Sequence, residues 1–437
     1  MQAYILETGR RVTPFDEPAS AMLVHNRPLR DHQTGILESL GCRVEVIDDL
    51  RQARERPCLV VYDDVYFTYH AAERFLSAAR RRERQAKQQA AANQLGSKAG
   101  NFAAALPVSL LTQRFSPSFQ GRTVAQPDGT NCHVYDLYYL RDWDPEIPPA
   151  DQAELVTIPH RVTVRRWRVN AHFDPSGSYS LPLSTVVICP VQHWSSLLTA
   201  NVLGMPSHIV RAALDSRMRA ATLPLRMLWR AGSVWPNRLR GKIYLAGRGC
   251  KVHPTAHVEW AVLGRGVRIG PNAVVRGAVL ADRVEIGPGA IVEMSTLAEK
   301  ATVNGGVTVR SCVVGDAGHM GSFFTQLSVL GRGAVLCPDS GIFDFNLRSN
   351  VNVTFEGRTV SCGSRFLGGC LGHGAFLGAE VVMASGQELP NGCVLVRSPR
   401  DLVSDLTQTL PQGVVRVDRG RPRNRPSDDG TLRIQPG

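Results

Sequence analysis

Lysine is scarce in this chain. Of its 50 basic residues only Lys87, Lys98, Lys242, Lys251 and Lys300 are lysines, and the rest are arginines. Paired cysteines are lacking too. The ten cysteines stand singly, with no CxxC and no zinc-ligand spacing, which argues against a structural metal and leaves them as small buried apolar residues. No apolar run approaches the roughly 18 residues needed to cross a bilayer. The opening MQAYILETGRRV has no basic segment followed by a long apolar core, so it reads as a strand rather than a signal peptide, and the cytoplasm is the expected location.

The net charge is +12. Much of it lies in RRRERQAK at 80–87, the solvated face of a helix, and in RVDRGRPRNRP at 416–426, a Pro- and Arg-rich tail that reads as disordered. Neither segment offers the aromatic or helix-borne readers of a nucleic-acid surface. A small anionic substrate accounts for the charge equally well.

Length alone requires more than one domain. Residues 1–80 alternate strand and helix. QAYIL, CRVEVID and PCLVVYDDVYF read as strands, RPLRDHQTGILESLG and the stretch 70–85 as helices, and this order predicts a parallel sheet with helices on its faces. Further on, HVYDLYYL, RVTVRRWRV and LSTVVICPV read as strands, while HWSSLLTANVLGM and HIVRAALDSRMRAATLPLRMLW read as two helices. The expected boundaries are an α/β domain at 1–200, a helical linker at 201–240, a repeat domain at 241–400 and an extension at 401–437.

From about residue 241 the texture changes. Leu263, Ile269 and Val275 are followed by Leu280, Ile286 and Val292, then by Leu297, Val303, Val309 and Val314, and the sets begin 17 residues apart. Such a repeat predicts a triangular prism. Each beat turns an aliphatic side chain inward from a flat face, small or Gly-bearing turns make the corners, and coils stack as parallel strands about 4.8 Å apart. One coil cannot bury its interior; a stack can. Leu330, Leu336, Leu371, Leu377 and Met383 extend the prism toward residue 395. After Val314 the next clear beat is Leu330, which predicts a break in register beside His319.

The repeat, opening with KVHPTAHVEWAVLGRGVRIGPNAVV, resembles the hexapeptide left-handed parallel β-helix of acyltransferases. With ILETGRRVTPFDEPAS at the start and HWSSLLTAN before the linker, the chain is similar to the bifunctional N-acetylglucosamine-1-phosphate uridyltransferase/glucosamine-1-phosphate acetyltransferase family. That resemblance implies a nucleotidyltransferase-like (Rossmann-like) α/β domain followed by an all-β left-handed β-helix. It also implies acetyl-CoA as acyl donor, an amino sugar, sugar phosphate or related small amine as acceptor, and a homotrimer built through the prism.

The family's glycine loop is incomplete here. Gly9 and Arg11 can be placed, but its first glycine is missing and Ala19 stands where its lysine belongs, so a triphosphate loses a point charge. Asp64 in VVYDDVYF, or its neighbour Asp63, matches the family's Mg²⁺ ligand, with a strand-end cap as the other reading of Asp64; Mg²⁺ is expected only if this domain is active. In the second domain the family's catalytic histidine follows a Val-Glu-Met segment. IVEM at 291–294 and GDAGHMGSFF at 315–324 reproduce that order, which makes His319 the candidate base, because an amine must be deprotonated before it attacks a thioester. Arg276 and Arg310 are candidates for an anionic group on the acceptor. Asp344 and Asn346, in CPDSGIFDFN, could orient the acceptor amine or could self-cap a loop. MASG and VRSP imply Ala384, Ser385 and Arg397 as coenzyme A contacts. His373, in LGHGAFLG, is a rival base. Two alternatives stand beside the acyltransferase: a Mg²⁺-dependent sugar-phosphate nucleotidyltransferase, alone or in combination, and a non-catalytic β-helix scaffold.

Overall fold

The computed structural model of the protein describes residues 1–93, 100–109, 111, 122–126, 129–171, 177–214, 222, 224–225, 227–230, 232, 234–235, 239, 241–398, 415–418 and 421–424. Most of the basic extension at 401–437, and part of the stretch 201–240, lies outside them.

The first unit is a mixed α/β sheet. Strands β1 (Gln2–Leu6), β2 (Arg43–Ile47) and β3 (Cys58–Tyr62) run parallel with β1 in the centre, pairing Ala3 with Val44 and with Leu59. Helices α1 (Leu29–Ser39) and α2 (Tyr69–Asn93) belong to this half. Gly41, at φ +78°, ends α1: its N–H bonds the Glu38 carbonyl and the Cys42 N–H bonds that of Leu37, a reversal that favours glycine. Beyond β3 the sheet is not parallel. The order is β6, β4, β5, β3, β1, β2, with β4 (Phe102–Pro107), β5 (Asn131–Leu140) and β6 (Glu154–Thr157). β5 is antiparallel to both β3 and β4.

Two expectations are corrected. PCLVVYDDVYF is two strands, because the chain turns at Asp63–Asp64 and Val65–Phe67 pairs instead with Ile188–Pro190. The two helices expected around Pro206 are one, α3 (Trp194–Leu214), with Pro206 inside it. Proline removes one helical hydrogen bond. Residues on both sides of it, from Trp194 to Met205 and at Ser207 and Ile209, are buried, and that packing outweighs the loss.

The second unit is a coil of short parallel strands, the arrangement a β-helix requires. Three inward columns form its core. Val258, Val275, Val292 and Val309 stack on one side; Leu263, Leu280, Leu297, Val314, Leu330 and Leu371 on the next; Ile269, Ile286, Val303, Met320, Leu336 and Leu377 on the third. Each such side chain contributes about 1.5–3 kcal/mol on burial. Corners recur with the same period: Trp260, Gly277, Met294, Ser311 and Leu327 all have φ near +50°, one per coil. Coils also touch closely at glycines. A Cβ on Gly287 would lie 2.4 Å from the Gly305 nitrogen, so no side chain fits there.

The predicted register break beside His319 is absent. His319–Met320 pairs in line with Thr302–Val303 before it and Val335–Leu336 after it. Met320 is the inward beat, fully buried, and Thr325 is the next, paired with Val309. The coil is one residue shorter at the turn after Met320, which shifts the spacing from 17 to 16 without interrupting the ladder. The true excursion comes later. The chain leaves the coil after Ile342, forms the hairpin Asn352–Phe355/Arg358–Ser361, and rejoins at Cys370, which pairs with Val329.

The two units share a core. Trp194, Leu197 and Leu198 of α3 pack in one apolar cluster with Phe15, Val313, Leu327, Val329, Phe366 and Cys370. Polar ties cross the seam as well. Asn26 Nδ2 donates to the Val279 and Leu297 carbonyls at 3.2 and 3.0 Å, and Asn391 Nδ2 donates to the Phe15 carbonyl at 2.9 Å.

Candidate functional site

In the strand His319–Met320 side chains alternate, so an inward Met320 sets His319 outward. It is half-buried. Successive coils align Lys251, Arg268, Glu285, Thr302 and His319 in one column, and a shallow groove of about 640 Å³ runs along that face with His319 at one end. The Thr302 hydroxyl and His319 Nδ1 are 2.7 Å apart. Nε2 has no hydrogen-bond partner among the described residues. When Nδ1–H donates to the Thr302 oxygen, Nε2 carries the lone pair and can accept a proton. Toward the other end of the groove lie Arg268, three strand spacings away, and Lys251 with His253 at four, about 19 Å from His319. Arg268 is paired with Glu285 at 3.2 Å. Thr302 was missed by sequence reasoning, although it precedes His319 by one 17-residue period.

The other predicted residues lie on different faces. Arg276 and Arg310 flank Glu293 in a second column, at 3.3 and 2.9 Å, with Glu259 near Arg276 at 3.8 Å. The alternation Glu259, Arg276, Glu293, Arg310 follows the same period, so their charges are matched within the stack. Asp344 is half-buried where the excursion begins; burial raises its carboxyl pKa, opposed by Arg310. Asn346 accepts the Arg348 N–H at 3.0 Å through its side chain, the geometry of a self-capped turn. Ala384 and Ser385 follow Val382–Met383, which pairs with Gly341–Ile342 in a third ladder. Arg397 is ion-paired with Glu380, beyond Val394–Leu395 at the end of the ladder that carries His319. The structure therefore brings Arg276, Arg310 and Asp344 together, and sets His319 apart from them on another face.

His373 sits in the seam between the two units. Its Nδ1 accepts the Arg332 backbone N–H at 2.9 Å, its Nε2 faces Glu17 at 3.5 Å, and its ring packs on Phe15 with centroids 4.9 Å apart. Burial, with Arg332 nearby, lowers its pKa.

In the α/β unit Asp64 is fully buried. Its Oδ2 accepts from Arg10 Nη1 at 2.6 Å and from Gln192 Nε2 at 3.0 Å. Asp63 instead accepts from the Thr8 N–H and hydroxyl, at 3.0 and 2.7 Å. Burial lowers the Arg10 pKa, but its hydrogen bond and charge pairing with Asp64 prevail, so the guanidinium is held charged. A divalent cation would need several oxygen ligands free of such pairing. Here a guanidinium already neutralises Asp64, and no cluster of three metal-ligating side chains exists among the described residues. These residues do not fit Mg²⁺ as placed.

No helix among the described residues is long and apolar enough to cross a membrane. No family model matches the chain, and no curated protein matches it. Among solved structures that match is a Bacillus cereus protein described as a candidate acetyltransferase, 16% identical, with the match covering 33% of this chain and 76% of that one at a TM-score of 0.13. A TM-score that low carries no weight for chemistry.

Proposed function

We propose that the protein is a coenzyme-A-dependent acyltransferase that transfers an acetyl group from acetyl-CoA to an amino sugar, a sugar phosphate or a related small amine. The observation that carries the reading is His319 itself: Nδ1 is tied to Thr302, and the residue lines a groove long enough for an extended donor. His319 Nε2 takes a proton from the acceptor ammonium. That first proton is lost to solvent, and the freed nitrogen lone pair forms a C–N bond to the thioester carbonyl carbon. His319 then takes the second N–H proton from the tetrahedral adduct, the C–S bond breaks, and this proton passes to the departing thiolate, leaving a neutral amide and a free thiol. Backbone N–H groups are the expected stabilisers of the tetrahedral oxyanion.

Arg276, Arg310, Asp344 and Asn346 contribute acceptor contacts in this reading, and Ala384, Ser385 and Arg397 donor contacts. Because the acceptor candidates, with Ala384 and Ser385, lie on faces other than the His319 groove, a complete site requires a neighbouring copy of the chain, as in the homotrimer that the family resemblance implies. Exposed Phe323, on the turn after His319, and Phe324, which opens the next strand, supply apolar surface for such a neighbour. The first unit serves this enzyme as a scaffold of nucleotidyltransferase descent, since Arg10 holds Asp64 where a nucleotidyltransferase needs a metal.

The test is incubation of the full chain with acetyl-CoA and a panel of amino sugars, their phosphates and simple amines, with products read by mass. An acetylated product absent with His319→Ala supports the reading. No product with any amine removes it and leaves the scaffold; nucleotide turnover with a sugar phosphate would install the nucleotidyltransferase instead.

A further inference from the structure

A second cavity, of about 600 Å³, lies where α1, the chain around Tyr66–Tyr69 and the end of α3 meet the first coils. Its apolar wall comes from the coil, with Leu245, Val262 and Leu263, and its opposite wall is polar. There His32 and His208 line the space, and His25, buried outside the lining, packs against both rings. The rings of His25 and His208 stack with centroids 4.6 Å apart, His32 stacks on Tyr66 at 5.0 Å, and His25 Nε2 lies 3.2 Å from the Tyr66 hydroxyl. His32 Nε2 donates to the Phe67 carbonyl at 3.1 Å, which fixes its tautomer and leaves Nδ1 as an acceptor.

Two arginines line the same space, Arg27 and Arg211, against one carboxylate, Glu38. The Arg211 guanidinium lies over the Tyr69 ring at 4.5 Å. Its Nη1 is buried and has no hydrogen-bond partner among the described residues. The same is true of Nδ1 on His25, a residue only 2% exposed. A buried guanidinium nitrogen left unmatched is costly, so Arg211 Nη1 at the cavity calls for a ligand. Positive potential is concentrated here. Burial and the charges of Arg27 and Arg211 hold the His32 and His208 rings well below their ordinary pKa, so at neutral pH they are uncharged donors and acceptors rather than cations.

The geometry points to a ligand-binding site in this seam cavity for a small organic oxyanion, a phosphate or carboxylate held by Arg211 and Arg27, whose body lies between Tyr66 and the aliphatic wall of the coil. The site is separate from the His319 groove and stands whether or not the chain is an acyltransferase. Because it is walled by both units, its ligand would brace the α/β unit against the first coils, and occupancy would be read as a stability gain of the whole chain.

Calorimetric titration of the full chain with inorganic phosphate, and separately with acetate, at constant ionic strength tests this. One saturable event is expected for at least one oxyanion, weakened about tenfold or more in Arg211→Gln, weakened also in Arg27→Gln, and unchanged in Arg43→Gln on the exposed edge of β2. Arg27 is exposed, so its variant stays informative should Arg211→Gln fail to fold. Phosphate against acetate distinguishes the two kinds of oxyanion. No event with either, or an event equal in wild type and in every folded variant of Arg27 and Arg211, would overturn the assignment.

Discussion

Thr302 and His319 hold the same position on successive coils, and their side chains meet at 2.7 Å between Oγ1 and Nδ1. A threonine in that place orients the imidazole through one neutral hydrogen bond. Thr302 is thus a positioning residue for His319. Thr302→Val should lower kcat roughly fivefold, the worth of one ordinary hydrogen bond, with KM little changed. Thr302→Ser should restore the rate. His319→Ala should lower it by about 10²–10⁴-fold. An unaltered kcat in Thr302→Val, or failure of Thr302→Ser to restore it, would remove the positioning role.

Arg10 and Asp64 form a pair with unequal exposure: the carboxylate is fully buried and the guanidinium about half exposed. Removing the cation strands a buried charge. Arg10→Met should destabilise the chain by about 3 kcal/mol, and adding Asp64→Asn should recover much of that loss, measured by denaturant unfolding of both variants. A double variant as unstable as the single would show that the pair is not coupled.

The buried histidines make a prediction about acid. The His32 pKa is pushed down to about 4 and that of His208 to about 3, first by burial and then by neighbouring positive groups, whereas both return to about 6.5 on unfolding. Between those values the unfolded chain binds more protons than the folded one. Stability is therefore highest above pH 6.5 and falls as pH drops toward 4, with a contribution from His32 on the order of 3 kcal/mol. His32→Asn should flatten the fall of melting temperature over that window.

Met320 fills the core column between Val303 and Leu336 with no exposure. Met320→Ala should cost about 2–5 kcal/mol, and Met320→Leu under about 1.5 kcal/mol. A small loss in Met320→Ala, read by thermal unfolding, would mean that the coil is broken at this position after all.

The coil was legible because it is local. Each beat packs on the residue one coil away, so a 17-residue period writes the neighbour list into the sequence, and the inward residues from Leu263 to Val314 follow directly. The same period would have revealed the Glu259–Arg276–Glu293–Arg310 ladder and the Thr302–His319 contact. The beat at Met320 was lost because methionine and then threonine replace the expected aliphatics, and a pattern of residue types cannot see a backbone ladder that continues beneath them. In the first unit β1, α1 and β2 were legible from apolar spacing and from the stop at Gly41. The antiparallel half was not, since local pattern does not set strand direction.

What the sequence by itself determined is the stacked coil and its inward beats from Leu263 to Val314, because those contacts recur at a fixed short separation. What only the tertiary structure decided is everything across long separations: Asp64 paired with Arg10, His373 lodged against Phe15 and Glu17, and the rings of His25, His32 and His208 brought together beside one cavity. Those residues meet over separations of up to several hundred positions, through packing of α3 between two units, and no period in the chain encodes that meeting.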